Sequence, residues 1–361
     1  EGLRSMAIEQ LAASGTMQAE SARDSGDLSQ AATHFQRVAQ LAPSASIRAS
    51  ADYDAASARI VLEDWPAAAQ ALEAFRGRFP EHRLAPDADK KLALAYEKSG
   101  KPALAAATFS RISQRSGETP ETQRIAAWTA TQLFEQARAP AQVLRSYTEY
   151  IARFPQPLDP AMQARKRLSE LALSEQQDPT AHRYWLEQIV IADQSAGSAR
   201  SETSKRYAAE ASLGIGRAEA ALANQLALRL PLDQTLARKK SATEASVRTL
   251  ERAAAYGYAD ITSAATFELA TVYASFGRAL MQSERPRALA GEALQQYAIL
   301  LEEQAFPFEE KAIQAHEINL QRMRKGIWNE AIGKSVSALG QLSPAKYGKQ
   351  EKREAFYDEL H

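Results

Sequence analysis

The 361-residue sequence predicts an all-α fold, a right-handed superhelical solenoid of about eight helix-turn-helix repeats. Three observations lead there. Strong helix formers (Ala, Leu, Glu, Gln, Arg, Lys) dominate, β-branched residues are few, and aromatics are 7% of the chain. An apolar pattern returns every 37 or 38 residues. The 16 Gly and 15 Pro stand as isolated punctuation and nowhere gather into a linker.

The period is read from helix-ending residues. Pro43, Pro80, Gly117 and Pro155 follow one another at steps of 37, 37 and 38. Twelve residues before each lies a small or β-branched residue: Ala31, Ala68, Ala105 or Val143. Four residues on comes a large one (Phe35, Leu72, Phe109, Tyr147), and three further another apolar one (Val38, Phe75, Ile112, Tyr150). Two helices approach closely only where one side chain is small, and a large residue one turn later lies on the same face and fills the space beside it. Gly26, Gly100 and Gly326 each end a first helix, where a left-handed C-cap costs glycine nothing. Pro66, Pro102 and Pro140 open second helices, the one place where a missing N–H is harmless.

Further along, the same offsets appear at Ala181 and Trp185, at Ala293, Tyr297 and Leu300, and at Ala331 and Ala338 before Pro344. Between about 201 and 260 the phase holds only if the helices lengthen. The predicted organisation is therefore an N-terminal array over 1–198, a longer-helix array over 199–344 and a capping helix or tail over 345–361. The small, polar stretch "QSAGSARSETSK" reads as a loop between the arrays.

Several features resemble chemistry and are better explained by packing. Gly100-Lys101 is followed by Pro102 where a phosphate loop needs Ser or Thr, and it lacks both the upstream Gly and a preceding strand. Gly214-x-Gly216 has no third Gly and no strand, so close helix packing or a kink explains it. The five His (34, 82, 182, 316, 361) are not paired at metal-ligand spacing, and His361 could belong to a purification tag. Glu302-Glu303 and Glu309-Glu310 read as solvated helix faces; "RKK" (238–240) and "QRMRKGIW" (321–328) read as local positive patches. No nucleophile–base–acid set emerges, so the expectation is a non-enzyme with no cofactor and no metal.

Basic and acidic residues balance at 44 each, which argues against a general nucleic-acid or anionic-membrane binder. No apolar run reaches the roughly 20 residues a transmembrane helix needs. The absence of Cys excludes disulfides and thiol chemistry and fits either a periplasmic or a cytoplasmic setting. The opening "EGLRSMAIEQ" has neither an initiator Met nor a signal-peptide profile and is expected to be a processed or excised piece of something longer.

The segments "GDLSQAATHFQRVAQLAP", "GKPALAAATFSRISQRSG" and "GIWNEAIGKSVSALGQLSP", with "KLALAYEKSG" as a first helix, resemble the tetratricopeptide repeat family. The usual Trp and Leu-Gly pair of its first helix are mostly missing, and the unit exceeds the family's ~34 residues. Periods of 37–38 with Phe-Pro endings (Phe79-Pro80, Phe154-Pro155) look more like repeats of bacterial envelope lipoproteins. The C-terminal "GIWNEAIGKSVSALGQLSPAKYGKQEKREAF" is similar to the end of large periplasmic repeat proteins that accompany TonB, ExbB and ExbD-type systems.

The resemblance implies a scaffold whose concave face, lined by first helices, holds another protein or peptide segment. On the family's pattern the outward positions are Tyr53 and Ser57, Lys90 and Leu94, Trp128 and Gln132, and Arg165. A periplasmic or outer-membrane-associated adaptor is the leading expectation. The alternatives are a cytoplasmic co-chaperone or regulatory scaffold, whose peptide clamp would have only Lys90 as an obvious member, and the regulatory part of a larger enzyme.

Overall fold

The computed structural model describes residues 2–42 and 44–348, and over them the protein is an all-α repeat solenoid without a strand. Two compact units divide the chain, Glu1–Pro155 and Gln156–His361. The first holds four helical hairpins: α1 (Gly2–Asp24) with α2 (Leu28–Leu41), α3 (Ala45–Val61) with α4 (Trp65–Arg78), α5 (Ala85–Lys98) with α6 (Pro102–Gln114), and α7 (Pro120–Gln136) with α8 (Pro140–Arg153). The second begins with α9 (Leu158–Ser174) and α10 (Pro179–Ser195). A short 3-10 turn leads into α11 (Glu202–Gln225), then α12 (Leu232–Ala255), α13 (Ala259–Met281), α14 (Gly291–Arg324), α15 (Glu330–Leu342) and the single turn α16 (Pro344–Tyr347). Within each unit every helix packs on its chain neighbours, and in the second α11 also touches α9 and α13.

Local chemistry sets most helix starts. Asp27, Ser44, Asp64, Thr119, Asp178 and Asn329 each accept a hydrogen bond from a first-turn N–H, which satisfies a group the helix itself cannot. Pro66, Pro102 and Pro140 sit in first turns as expected. Pro43 lies outside the described residues.

The hairpin turns carry the period most plainly. Residues with positive φ occur at 26, 63, 100 and 138, again at steps of 37, 37 and 38. Gly26 (φ +83°) and Gly100 (φ +66°) hold two of them; Glu63 (φ 56°) and Arg138 (φ 51°) adopt the same left-handed conformation although they carry a Cβ. Non-glycine residues pay about 1 kcal/mol there. Glu63→Gly and Arg138→Gly should therefore each raise the thermal midpoint of the first unit, by up to ~1 kcal/mol in stability. A neutral or lowered midpoint for both variants would show the turns to be unstrained.

The repeat positions of the first unit form its core. Ala31, Ala68 and Ala105 are fully buried and Val143 nearly so; Phe35, Leu72 and Tyr147 follow in the interior, with Phe109 half-buried against the same cluster. A buried ionic staple joins α5 to α6: Asp89, 1% exposed, accepts from Arg111 at 3.1 Å and from Arg115.

In the second unit the repeat phase departs from the sequence reading. Ala293 and Leu300 are exposed and Tyr297 is half-buried, because one 34-residue helix runs straight through the expected hairpin boundary; Leu301, Ala305, Ala312 and Ala315 form its packed face. In α15 the buried residues are Ile332, Ser335 and Leu339, one register step from Ala331 and Ala338. Ser335 occupies the aromatic position for a reason. The side-chain amide of Asn319, wholly buried on α14, donates to Ser335 Oγ at 2.8 Å and to Ser263 O at 3.0 Å, and Arg322 donates to Asn319 Oδ1 at 2.7 Å. An aromatic ring there would leave the buried amide short of an acceptor.

Gly216 accounts for the Gly-x-Gly stretch: a Cβ on it would come within 2.7 Å of Leu250, so α11 and α12 touch through it. Helices α11 to α14 run 23 to 34 residues, against 13 to 17 for α2 to α10, so the lengthening inferred for 201–260 is present. The tail expected over 345–361 begins inside the helical turn Pro344–Tyr347, which is tied to α14 by Lys346 and Tyr347 bonding to Glu317; residues 349–361, with His361, lie outside the described residues.

Candidate functional site

The first-helix face of the N-terminal unit is where the sequence placed partner contacts. On α3, Tyr53 and Ser57 are one turn apart, and a lysine of α5 reaches both. That lysine is Lys91: its Nζ donates to Tyr53 Oη at 2.5 Å and to Ser57 Oγ at 3.3 Å, and it stands 4.3 Å from the Tyr53 ring centroid. Tyr53 donates in turn to Asp87, which also pairs with Lys91 at 3.1 Å. Burial opposes ionisation of Asp87, yet the bonds from Tyr53 and Lys91 hold its carboxyl below the usual value; burial and Asp87 together push the Tyr53 phenol up. The network is closed on itself, and Tyr53 is half-buried with its edge toward Phe75 at 6.2 Å.

The other predicted positions lie apart from this network. Lys90, a third of a turn from Lys91, is exposed and pairs with Glu118 at 3.5 Å. Leu94 and Gln132 are exposed. Trp128 is half-buried and packs edge-on against Tyr150 and Tyr147, 5.1 and 5.9 Å between centroids, within its own hairpin. Arg165 belongs to the second unit, half-buried, with Nη1 donating to Ala161 O at 3.0 Å; burial lowers its pKa.

In the same unit a cleft of about 690 Å³ lies between the first helices α1 and α3. Ala12, Ala51 and Phe35 form its floor and the half-exposed Ile47 a side. The charged residues lining it are all acidic: Glu9 and Glu20 from α1 and Asp54 from α3. Burial raises the Asp54 pKa, with the Glu20 charge adding to the rise and Arg23 and Lys91 opposing it. Among the described residues none of the three carboxylates makes a hydrogen bond or an ion pair. The sequence reading passed over this cleft, although a signal was present. Residues 9, 12, 13, 16 and 20 of α1 and 47, 50, 51 and 54 of α3 follow the i, i+3, i+4, i+7 stripe of one helix face.

The remaining sequence features resolve into structure. Gly100 turns the chain and Lys101 precedes α6, as the packing reading had it. The positive patch expected at 238–240 is only partly a patch. Lys239 is 2% exposed, and its ammonium donates to Ala223 O at 2.9 Å and Leu226 O at 3.0 Å, capping the C-terminus of α11. Burial lowers its pKa. Within 321–328, Arg322 is drawn into the Asn319 network, while Trp328 is 66% exposed. His316 is buried against Phe267, 5.7 Å between centroids. No helix among the described residues is long and apolar enough to cross a membrane, and no group of three or more His, Asp or Glu is placed to hold a metal there.

No family model matches the chain, and no curated protein matches it. Solved structures align with it, among them two that cover most of its length. A circular tandem repeat protein with novel repeat topology and enhanced subunit contact surfaces is 13% identical, covering 94% of this chain and 85% of its own, at a TM-score of 0.23. A structure from the computational design of self-assembling cyclic protein homooligomers is 15% identical, covering 95% and 94%, at a TM-score of 0.20. Superpositions this loose carry no argument, and the fold stands on the helix packing described above.

Proposed function

We propose that the protein is a non-catalytic scaffold or adaptor that holds a basic segment of another protein against the first-helix face of its N-terminal unit. The carrying observation is the cleft between α1 and α3: apolar at its floor, lined by Glu9, Glu20 and Asp54, and without a lining cation. Apolar floor supplies area and unpaired carboxylates supply orientation, the division of labour found in protein interfaces. The hairpin period supports kinship with tetratricopeptide-like repeats. The C-terminal likeness supports a periplasmic envelope complex as its setting.

Site-specific photo-crosslinking in the native host tests this. A crosslinker at Ser50, inside the cleft, should capture a protein partner, and one at exposed Gln70 on α4 should not. Glu20→Lys and Asp54→Lys should each abolish the Ser50 adduct. Capture should also weaken as pH falls, since protonation of Asp54, whose pKa is raised by burial, removes one of the attracting charges. A silent Ser50, or an adduct indifferent to charge reversal, overturns the proposal.

A further inference from the structure

A second recess lies in the C-terminal unit, on different helices. Between α12, α13 and α14 is a pocket of about 310 Å³. Phe276 and Phe308 meet in it with ring centroids 4.4 Å apart, and half-buried Tyr273 and Val247 complete an apolar wall. Aromatic and aliphatic surface lining a small concavity is what binds apolar groups.

The charges around it are one-sided. Lys240 and Arg248 of α12 and Lys311 of α14 line the pocket, against the single carboxylate of Glu244. Glu251 lies close enough to raise the Tyr273 pKa, and against these two carboxylates the three cations still leave positive charge in excess. None of the three cations forms an ion pair among the described residues. Lys311 instead stands over the aromatic wall, 5.5 Å from the Tyr273 centroid and 5.9 Å from that of Phe308. Three like charges gathered at the lining of an apolar pocket repel one another, and an anion seated among them relieves that repulsion.

We propose that this pocket binds a small amphipathic carboxylate, a free alkyl or aryl acid. Its apolar group lies against Phe276, Phe308, Tyr273 and Val247, and its carboxylate sits among Lys240, Arg248 and Lys311. The volume lies near the lower limit of small-molecule sites, roughly 300 to 1,000 Å³. It accepts one chain or ring system and excludes a folded segment. The recess shares no residue with the α1–α3 cleft, so the two proposals stand or fall separately.

The test is calorimetric titration of the full chain with decanoate, decanol and decylammonium as matched anionic, neutral and cationic probes. Decanoate should bind at one site per chain with Kd on the order of 10–100 μM, and the other two at least ~10-fold more weakly. Arg248→Ala and Lys311→Ala should each weaken decanoate several-fold, and both side chains are exposed, so the fold should be retained by circular dichroism. Val247→Trp, which fills the pocket, should abolish binding. Equal affinity for the three probes, no decanoate binding at ~1 mM, or undiminished binding in the two cation variants would overturn the assignment.

Discussion

Asp193→Ala is expected to lower the stability of the C-terminal unit by about 3 kcal/mol, the largest loss predicted for a single polar side chain here. Asp193 is 0% exposed at the end of α10 and collects donors from three later segments. Arg200 Nε reaches its two oxygens at 3.0 and 2.9 Å, Ser204 Oγ donates at 2.7 Å, and Tyr256 Oη at 3.0 Å. The sequence reads a loop over about 195–205; the part between α10 and α11, residues 196–201, is thereby fastened to α10, α11 and α12. Removing the carboxylate strands three donors. Arg200 is partly exposed and can rehydrate, which keeps the cost below that of a wholly buried pair.

Burial opposes ionisation of Asp193, but the bonds from Arg200, Ser204 and Tyr256 outweigh it and hold the carboxyl below its ordinary value of 3.8. A depressed carboxylate pKa gives stability that is fully present above the unfolded value and is lost as pH falls through the folded one. The wild-type chain should therefore lose stability below about pH 4, and Asp193→Ala should lose less over that range. A denaturant midpoint for Asp193→Ala within error of wild type at pH 7 would remove Asp193 from this role.

The second large effect is set by His316. It is 2% exposed on α14, its Nδ1 has no hydrogen-bond partner among the described residues, and burial lowers its pKa to about 4. The unfolded chain takes up a proton near 6.5 and the folded chain only near 4, so His316 lowers stability as pH falls across that window, and its contribution is complete below it. The full effect is about 3 kcal/mol. His316→Leu should be nearly flat between pH 6.5 and 4 while keeping the pH 7 stability within about 1 kcal/mol. Urea midpoints for both proteins across this range decide the matter. Equal slopes would mean that His316 titrates normally in the folded chain.

Much of the fold could be read from the sequence because its signals are local. The turn glycines, first-turn prolines and capping Asp, Ser and Thr act within a few residues of themselves, and the small-then-large spacing in the second helices of the first unit is a pattern within one helix. The face proposed for a partner was less legible. Lys90 and Lys91 are adjacent, yet only Lys91 meets Tyr53 and Ser57. One residue turns a helix by about 100°, so a one-residue error in phase moves a side chain to another face. The α1–α3 cleft was missed because its lining is split between two helices whose facing stripes become one surface only on packing.

By itself the sequence determined an all-α chain of short hairpins at steps of 37 and 38 residues, since helix propensity, caps and turns are properties of short segments. Tertiary packing decided the rest. It ran α14 through an expected hairpin boundary, placed Ser335 where Asn319 needs an acceptor, and buried Lys239 on the carbonyls that end α11. It also gathered Glu9, Glu20 and Asp54 around one cleft whose lining holds no cation. Those outcomes depend on which side chains meet across separate helices, and a polar group's partner or lack of one is fixed only when they do.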